Sequence, residues 1–268
     1  MARANIVGLV LVRNEELYVE QAVRNASVFC DRMMLCDHSS TDGTLRILQS
    51  LARELPATTC HVLKHPRESH ELIRPFCGTD HWIFAVDGDE IYDPAGLSRL
   101  KSRISAGEFD ASWMLFGNVL NVTRLEHNNT SATGHLSPPC RSMTKLYNFA
   151  AVASWEGECI ERLHGGNPVF RQRFSATDRR YLHEETPWGV SDFRCLHLCF
   201  LTRSRSTETS ARRNIMETYG SGRLRRVISA VRDLFGRSSA SKWKNERYRR
   251  GPEVTVDATP FFPPMPSR

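Results

Sequence analysis

Before residue 90 four short apolar runs alternate with three amphipathic stretches, and few folds accept that order. Ile6-Val-Gly-Leu-Val-Leu-Val12 is continuous and β-branched, as in a strand buried on both faces. Arg13-Asn-Glu-Glu16 follows and opens a helix expected to reach about Phe29, with Leu17, Val19, Ala22, Val23, Ala26 and Phe29 on its apolar stripe. Met33-Met-Leu-Cys36 reads as a second strand, and Leu45, Leu48, Leu51, Ala52 and Leu55 mark the next helix, closed by Pro56. His61–Lys64 forms a short third strand, Glu68–Cys77 a helix broken near Pro75, and Trp82–Val86 a fourth strand. The alternation predicts an α/β fold with a mostly parallel central sheet flanked by helices and joined by right-handed crossovers. Ligands of such sheets sit beyond the carboxyl ends of the strands. The polar loops that begin at Arg13, Asp37 and Asp87 each follow a strand end, so they should line one rim.

The fourth strand ends abruptly in Asp87-Gly-Asp-Glu90. Gly88 permits a tight turn that brings Asp87 and Asp89 towards one point. Crowded carboxylates repel one another unless a cation joins them, and hard oxygen ligands suit Mg²⁺ or Mn²⁺ when substrate phosphates complete the shell. The plainer alternative is a solvated acidic turn that caps the helix starting at Pro94. Asp37 and Asp42, in Asp37-His-Ser-Ser-Thr-Asp-Gly-Thr44, could likewise cap the helix that follows them.

Beyond this point the signals weaken. Pro94–Ile104 is a short helix, Ala111–Val122 a strand or strand pair, and Thr144–Phe149 a further strand. Residues 124–141 read as a long polar loop and 162–192 as mostly irregular chain. Cys195–Leu201 is a last apolar run that contains His197, which by default is a core histidine. Thr207–Tyr219 and Arg223–Phe235 have helical patterning, and Thr259–Pro266 is a Pro-rich tail without core logic. The chain therefore divides into a body at 1–202, a basic helical extension at 203–250 and a flexible tail at 251–268. Within the body, 1–94 and 95–202 form two halves.

Charge follows the same division. From Arg203 to Arg250 there are 14 lysines and arginines against 4 acids, whereas residues 1–202 carry a net charge of −3. The overall +6 thus describes a basic extension on a slightly acidic body, which excludes a uniformly basic nucleic-acid surface. No aromatic platform is interleaved with the basic run, a second argument against nucleic acid. The extension could lie on anionic lipid, although an apolar stripe of Leu224, Val227, Ile228, Val231 and Leu234 more often packs on protein. Eight scattered cysteines without a Cys-x-x-Cys pair read as reduced thiols. No apolar run has the length of a membrane span and no signal-peptide pattern is present, so the expectation is a cytoplasmic protein.

The order of the motifs resembles the family 2 glycosyltransferases of GT-A, Rossmann-like fold. Val12-Arg-Asn-Glu-Glu16 follows the first strand. Asp37-His-Ser-Ser-Thr-Asp-Gly-Thr44 is similar to the family's Asp-x-x-Ser-Thr-Asp-Gly-Thr, and Asp87-Gly-Asp89 to its Asp-x-Asp. Lys145-Leu-Tyr…Trp155-x-Gly157-x-x-x-Glu161 looks like the stretch that often ends in His-Glu, and His197 sits where a late strand-end histidine is common. The resemblance covers about residues 5–202. It implies that Val12, Arg13, Asn14, Glu15, Asp37, Asp87 and Gly88 bind a nucleotide-sugar donor, UDP-sugar foremost and dTDP- or GDP-sugar after it. It further implies that Asp89, Asp87 and His197 hold Mn²⁺ or Mg²⁺, and that a glycan or lipid-linked acceptor is glycosylated with inversion.

The acceptor hydroxyl needs a base. Ile160 stands where relatives show histidine, so Glu161 becomes the candidate, with Glu158 and Glu184 as rivals. A sugar-nucleotide nucleotidyltransferase is the second enzyme reading, weakened by the lack of an early Gly-rich phosphate loop. A non-catalytic nucleotide-sugar or membrane-surface binding protein is the third.

Overall fold

The computed structural model describes residues 5–140, 145–205 and 246–264. The helical patterning expected within 206–245 lies outside them. The first half folds as its periodicity predicts. Strands β1 (Ile6–Val12), β2 (Arg32–Asp37), β3 (Thr58–Val62) and β4 (Trp82–Asp87) are parallel and lie in the order β4-β1-β2-β3. Helices α1 (Val19–Ser27), α2 (Thr44–Glu54) and α3 (Glu68–Ile73) make the crossovers. Every residue of β1 is buried and its two sides feed different cores. Ile6, Val10 and Val12 pack with α1 and α2, and Val7, Leu9 and Leu11 with the layer that holds α3.

Helix α1 starts at Val19 rather than at Arg13. Asn14 has φ 56°, a left-handed conformation that no helix accepts, and its carboxamide oxygen accepts the Thr41 N–H at 2.8 Å. The loop is thus tied to its neighbour on the rim instead of winding into helix.

After β4 come β5 (Glu90–Tyr92), α4 (Pro94–Ser105), β6 (Met114–Phe116) and β7 (Asn118–Leu125). Asp93 caps α4, accepting the N–H groups of Ala95 and Gly96 at 3.0 and 3.1 Å. Next are β8 (Ser131–Ser137), β9 (Lys145–Asn148), β10 (Val152–Glu161) and β11 (His164–Phe170), then β12 (Arg179–Tyr181), α5 (Leu182–Glu185), β13 (Arg194–His197) and β14 (Glu253–Asp257). The large sheet has seven strands, β12-β6-β9-β4-β1-β2-β3, with β9 antiparallel to both neighbours. A second sheet has the order β14-β8-β7-β13-β5, and β10 pairs with β11 alone.

Three expectations need correction. The polar loop at 124–141 is largely the hairpin β7–β8, turning at Asn129 with φ 56°. Its small, polar residues conceal a strand because the backbones approach closely: a Cβ on Gly134 would stand 2.2 Å from the Asn121 carbonyl oxygen. The stretch at 162–192 is not irregular throughout, since β11 completes a hairpin with β10 and β12 adds an edge strand to the large sheet. Its Gly165 and Gly166 have φ of 96° and 62°, so the glycines that read as loop instead carry a bulged hairpin. The segment 251–268 is no flexible tail as far as residue 264. β14 pairs antiparallel with β8, and Phe261 is fully buried.

Asn25 explains the docking of that segment. Buried in α1, it donates through Nδ2 to the carbonyls of Tyr92 at 2.7 Å and Phe261 at 2.8 Å. Phe261 also stacks on Trp188 with ring centroids 5.6 Å apart. Phe261→Ala should therefore destabilise the chain by about 3–5 kcal/mol, measured by denaturant unfolding. A loss below ~1 kcal/mol would mean that the segment merely rests on the surface.

All eight cysteines lie in the described residues and are free thiols, as expected. Burial raises Cys36 to about 12 and Cys159 to about 11, so both are protonated and inert at neutral pH. Among the described residues no helix is long and apolar enough to cross a membrane.

Candidate active site

Register brings the three polar loops to one rim. Val12 lies opposite Asp37, and Leu11 opposite Asp87. The loops then interlock. Asn14 N–H donates to Ser40 Oγ at 3.0 Å, Glu15 N–H to Thr44 Oγ1 at 2.8 Å, and Gly43 N–H to Glu16 Oε2 at 3.0 Å. Asp42 accepts the Thr44 N–H at 2.9 Å, at the start of α2. Gly88 has its place through contact rather than through a left-handed turn. A Cβ there would lie 2.6 Å from Val12 Cγ1 and 3.0 Å from Glu15, so only glycine lets this loop close on β1.

Asp37 is 1% exposed and accepts the Ser40 N–H through Oδ2 at 3.1 Å. Its other oxygen, Oδ1, is buried and has no hydrogen-bond partner among the described residues. A buried carboxylate oxygen left open in this way costs energy unless a donor arrives, which marks a place for a ligand N–H or O–H. Next to it, burial foremost and then Arg13 and His65 push His38 down to about 4, so its imidazole is neutral.

The carboxylates of the fourth strand end divide between two buried arginines that sequence reasoning did not single out. Asp87 Oδ1 meets Arg162 Nη1 at 2.6 Å, and the same nitrogen donates to the Val86 carbonyl at 3.1 Å. Arg162 Nη2 lies 3.2 Å from Glu161 Oε1. Arg162 is itself held at the β10–β11 turn with φ 36°. Its N–H donates to Ser69 Oγ at 2.8 Å, and its carbonyl lies 2.6 Å from His70 Nδ1. Burial opposes the Arg162 charge, but Asp87 and Glu161 outweigh burial and keep the guanidinium protonated.

Asp89, 2% exposed, instead bonds Arg203 Nη1 through Oδ2, and Glu15 Oε1 lies 2.8 Å from the same nitrogen. His197 Nε2 is 3.8 Å from Asp89 Oδ2, beyond hydrogen-bond range. Its Nδ1 lies 2.8 Å from Asn121 Oδ1, directly across the β13–β7 register. With the Asn121 carboxamide oxygen as partner, Nδ1 donates. Glu90 is bound to the Tyr92 hydroxyl at 2.9 Å and serves the framework.

Of the three glutamates considered as base, only Glu161 is wired to this cluster by the contacts described. Burial alone would raise its carboxyl, but Arg162 and then His164, 2.9 Å away, leave it below its ordinary value and therefore ionised. Glu158 is exposed on β10. Glu184 has a side chain 65% exposed and stands 3.9 Å from His183 on α5.

Among the described residues no group of three or more His, Cys, Asp or Glu side chains is arranged to hold a metal ion. Asp89 Oδ2 and His197 Nε2 are both acceptor atoms, 3.8 Å apart, and do not bond each other. That set fits an ion whose remaining positions are filled by water and phosphate oxygens, not a cage built from protein alone. Asp87, expected to share the ion, faces Arg162 instead.

No family model matches the chain, and neither does any curated protein. Solved structures overlap it in part. A crystal structure of S. aureus TarS is 18% identical over 55% of this chain and 48% of its own, with a TM-score of 0.38. Glucosyl-3-phosphoglycerate synthase from Mycobacterium tuberculosis, in complex with Mn²⁺, uridine diphosphate and glucosyl-3-phosphoglycerate, is 18% identical over 42% of this chain and 43% of its own, at 0.32. A 4-diphosphocytidyl-2C-methyl-D-erythritol synthase from Anaerococcus prevotii is 10% identical over 56% and 72%, at 0.35. The chain thus spans about half the length of the TarS structure and less than half of the M. tuberculosis synthase. With TM-scores of this size, what the site can do follows from its own residues.

Proposed function

We propose that this chain is a glycosyltransferase that moves a sugar from a nucleotide-sugar donor to an acceptor hydroxyl. The observation that carries the reading is the composition of the rim. At one end a buried carboxylate oxygen of Asp37 lacks a hydrogen-bond partner among the described residues, and at the other Asp89 Oδ2 and His197 Nε2 approach to 3.8 Å; both support the reading. A nucleoside diphosphate has both requirements in one molecule: N–H and O–H donors at its nucleoside and clustered negative charge at its phosphates. Val12, Arg13, Asn14, Glu15 and Asp37 receive the nucleoside, UDP foremost. Asp87 and Gly88 lie under the ribose and diphosphate.

Asp89 and His197 would hold Mn²⁺ or Mg²⁺, which would supply positive charge against the negative charge gathering on the departing diphosphate. Glu161, ionised and fixed by Arg162 and His164, takes the proton from the acceptor hydroxyl. The hydroxyl oxygen then attacks the anomeric carbon from the face opposite the leaving group, which inverts that centre. The acceptor is a glycan or a lipid-linked acceptor. The low basicity that Arg162 imposes on Glu161 suits a proton transfer that occurs late, when the attacking oxygen has already become acidic.

Incubation with UDP-, GDP- and dTDP-sugars tests this reading. Release of nucleoside diphosphate from one of them, dependent on a divalent ion, is the expected result. Consumption of a nucleoside triphosphate with pyrophosphate release would make the chain a nucleotidyltransferase. Tight binding without any turnover, over a panel of acceptors, would make it a binding protein.

A further inference from the structure

The strand that leads out of the site returns across it. After β13 the chain turns at Leu198, whose N–H donates to the Asp89 carbonyl at 2.8 Å. Residues 203–205 then lie over the first rim loop. The Arg203 carbonyl accepts the Leu17 N–H at 3.0 Å, and the Arg205 N–H donates to Glu16 Oε1 at 2.8 Å. Ser204 reaches Asp42. The strap therefore carries Arg203 into the rim, where the residue is 8% exposed.

Its guanidinium sits where the ion of the proposed function belongs. One nitrogen, Nη1, bonds Asp89 Oδ2 and lies 2.8 Å from Glu15 Oε1. The same Asp89 oxygen is the one that His197 Nε2 approaches to 3.8 Å. A guanidinium and a divalent cation on that one oxygen would place like charges a few ångströms apart in a dry setting, so each weakens the hold of the other. The guanidinium is also imperfectly seated, because its buried Nε has no hydrogen-bond partner among the described residues. An unmet donor of this kind is a standing cost, which lowers what it takes to move the side chain out. Once moved, the same donor needs an acceptor, and phosphate oxygens are the matching chemistry.

We propose that Arg203 and a divalent cation are alternative occupants of one seat on Asp89, so that Arg203 sets the ion affinity of the resting site. The proposal rests on the reading of Asp89 as the ion ligand. Without donor, Arg203 offsets part of the negative charge of Asp89 and Glu15. Ion and diphosphate together displace Arg203 from Asp89 and free its donors for the phosphate oxygens. Cation binding is thereby coupled to donor binding, because an ion alone must compete with a charge that the protein already holds.

Mn²⁺ binding to the full-length chain without nucleotide, followed by electron paramagnetic resonance, tests this. Arg203→Ala should bind Mn²⁺ at least about tenfold more tightly than the wild type, and adding Asp89→Asn should abolish the gain. Arg203→Lys should stay near the wild type. If Arg203→Ala leaves Glu15 and Asp89 too poorly compensated to fold, Mn²⁺ should restore its folding in a concentration-dependent way that the double variant lacks. Equal or weaker Mn²⁺ binding in a folded Arg203→Ala, or an unfolded one that Mn²⁺ leaves unfolded, would overturn the proposal. In either case donor binding that needs Mn²⁺ and Asp89 would still stand, so failure of the competition is separable from failure of the site.

Discussion

Arg162→Ala should lose about 3–5 kcal/mol of stability, the largest loss expected from any single change at the site. The magnitude comes from what remains behind. Glu161 and Asp87 have side chains only 13% and 28% exposed, and both turn to this guanidinium. Without it two carboxylates face each other in a poorly solvated turn, and the Val86 carbonyl loses its donor at 3.1 Å. Arg162→Lys keeps a charge but cannot span both acids with one planar group, so it should recover only part of the loss. Denaturant unfolding at neutral pH measures both. A loss below ~1 kcal/mol in the alanine variant would show that Arg162 is an ornament of the turn and not its counter-ion. Acid should narrow the difference between wild type and variant. The Glu161 carboxyl is held below its usual value, so the stability it contributes is present above its unfolded value and disappears as pH falls through the folded one.

Glu161→Gln should lower transfer by about 10²–10⁴-fold while donor binding is retained. The amide keeps the shape of the carboxylate and its place beside Arg162, but it cannot take a proton. Steady-state turnover and donor titration, measured on the same preparation, separate the two effects. Full turnover in this variant would transfer the role to Glu158 or Glu184, even though Glu158 is exposed on the hairpin and Glu184 projects from α5.

How far the sequence carried the structure can be seen residue by residue. β1, β2 and β4 were plain because each is an unbroken apolar run buried on both faces, and the rim followed from where those runs stop. β8, β11 and β14 were not plain. Their residues are small, polar, Gly-containing or alternating at a half-exposed surface, and the pairing that makes β8 and β14 strands joins residues more than a hundred positions apart. Local patterning has no record of such a partner. The site divides in the same way. Asp37, Asp87 and Asp89 stand at strand ends, and their positions were legible. Arg162 stands in a turn and Arg203 in the irregular strap after β13. Nothing in their neighbourhood distinguishes a buried guanidinium from a solvated one, and only the fold brings each to its carboxylates. A basic residue directly after the candidate base, in an acidic stretch, was the one faint signal for Arg162.

The most direct test of the donor site is calorimetric titration of UDP-sugar into the wild type and Asp89→Ala, with and without Mn²⁺. The wild type should bind the donor in an ion-dependent manner, and Asp89→Ala should lose that dependence together with most of the affinity. Donor binding by Asp89→Ala equal to the wild type, still strengthened by Mn²⁺, would contradict the assignment of the Asp87-Gly-Asp89 rim as the seat of the diphosphate.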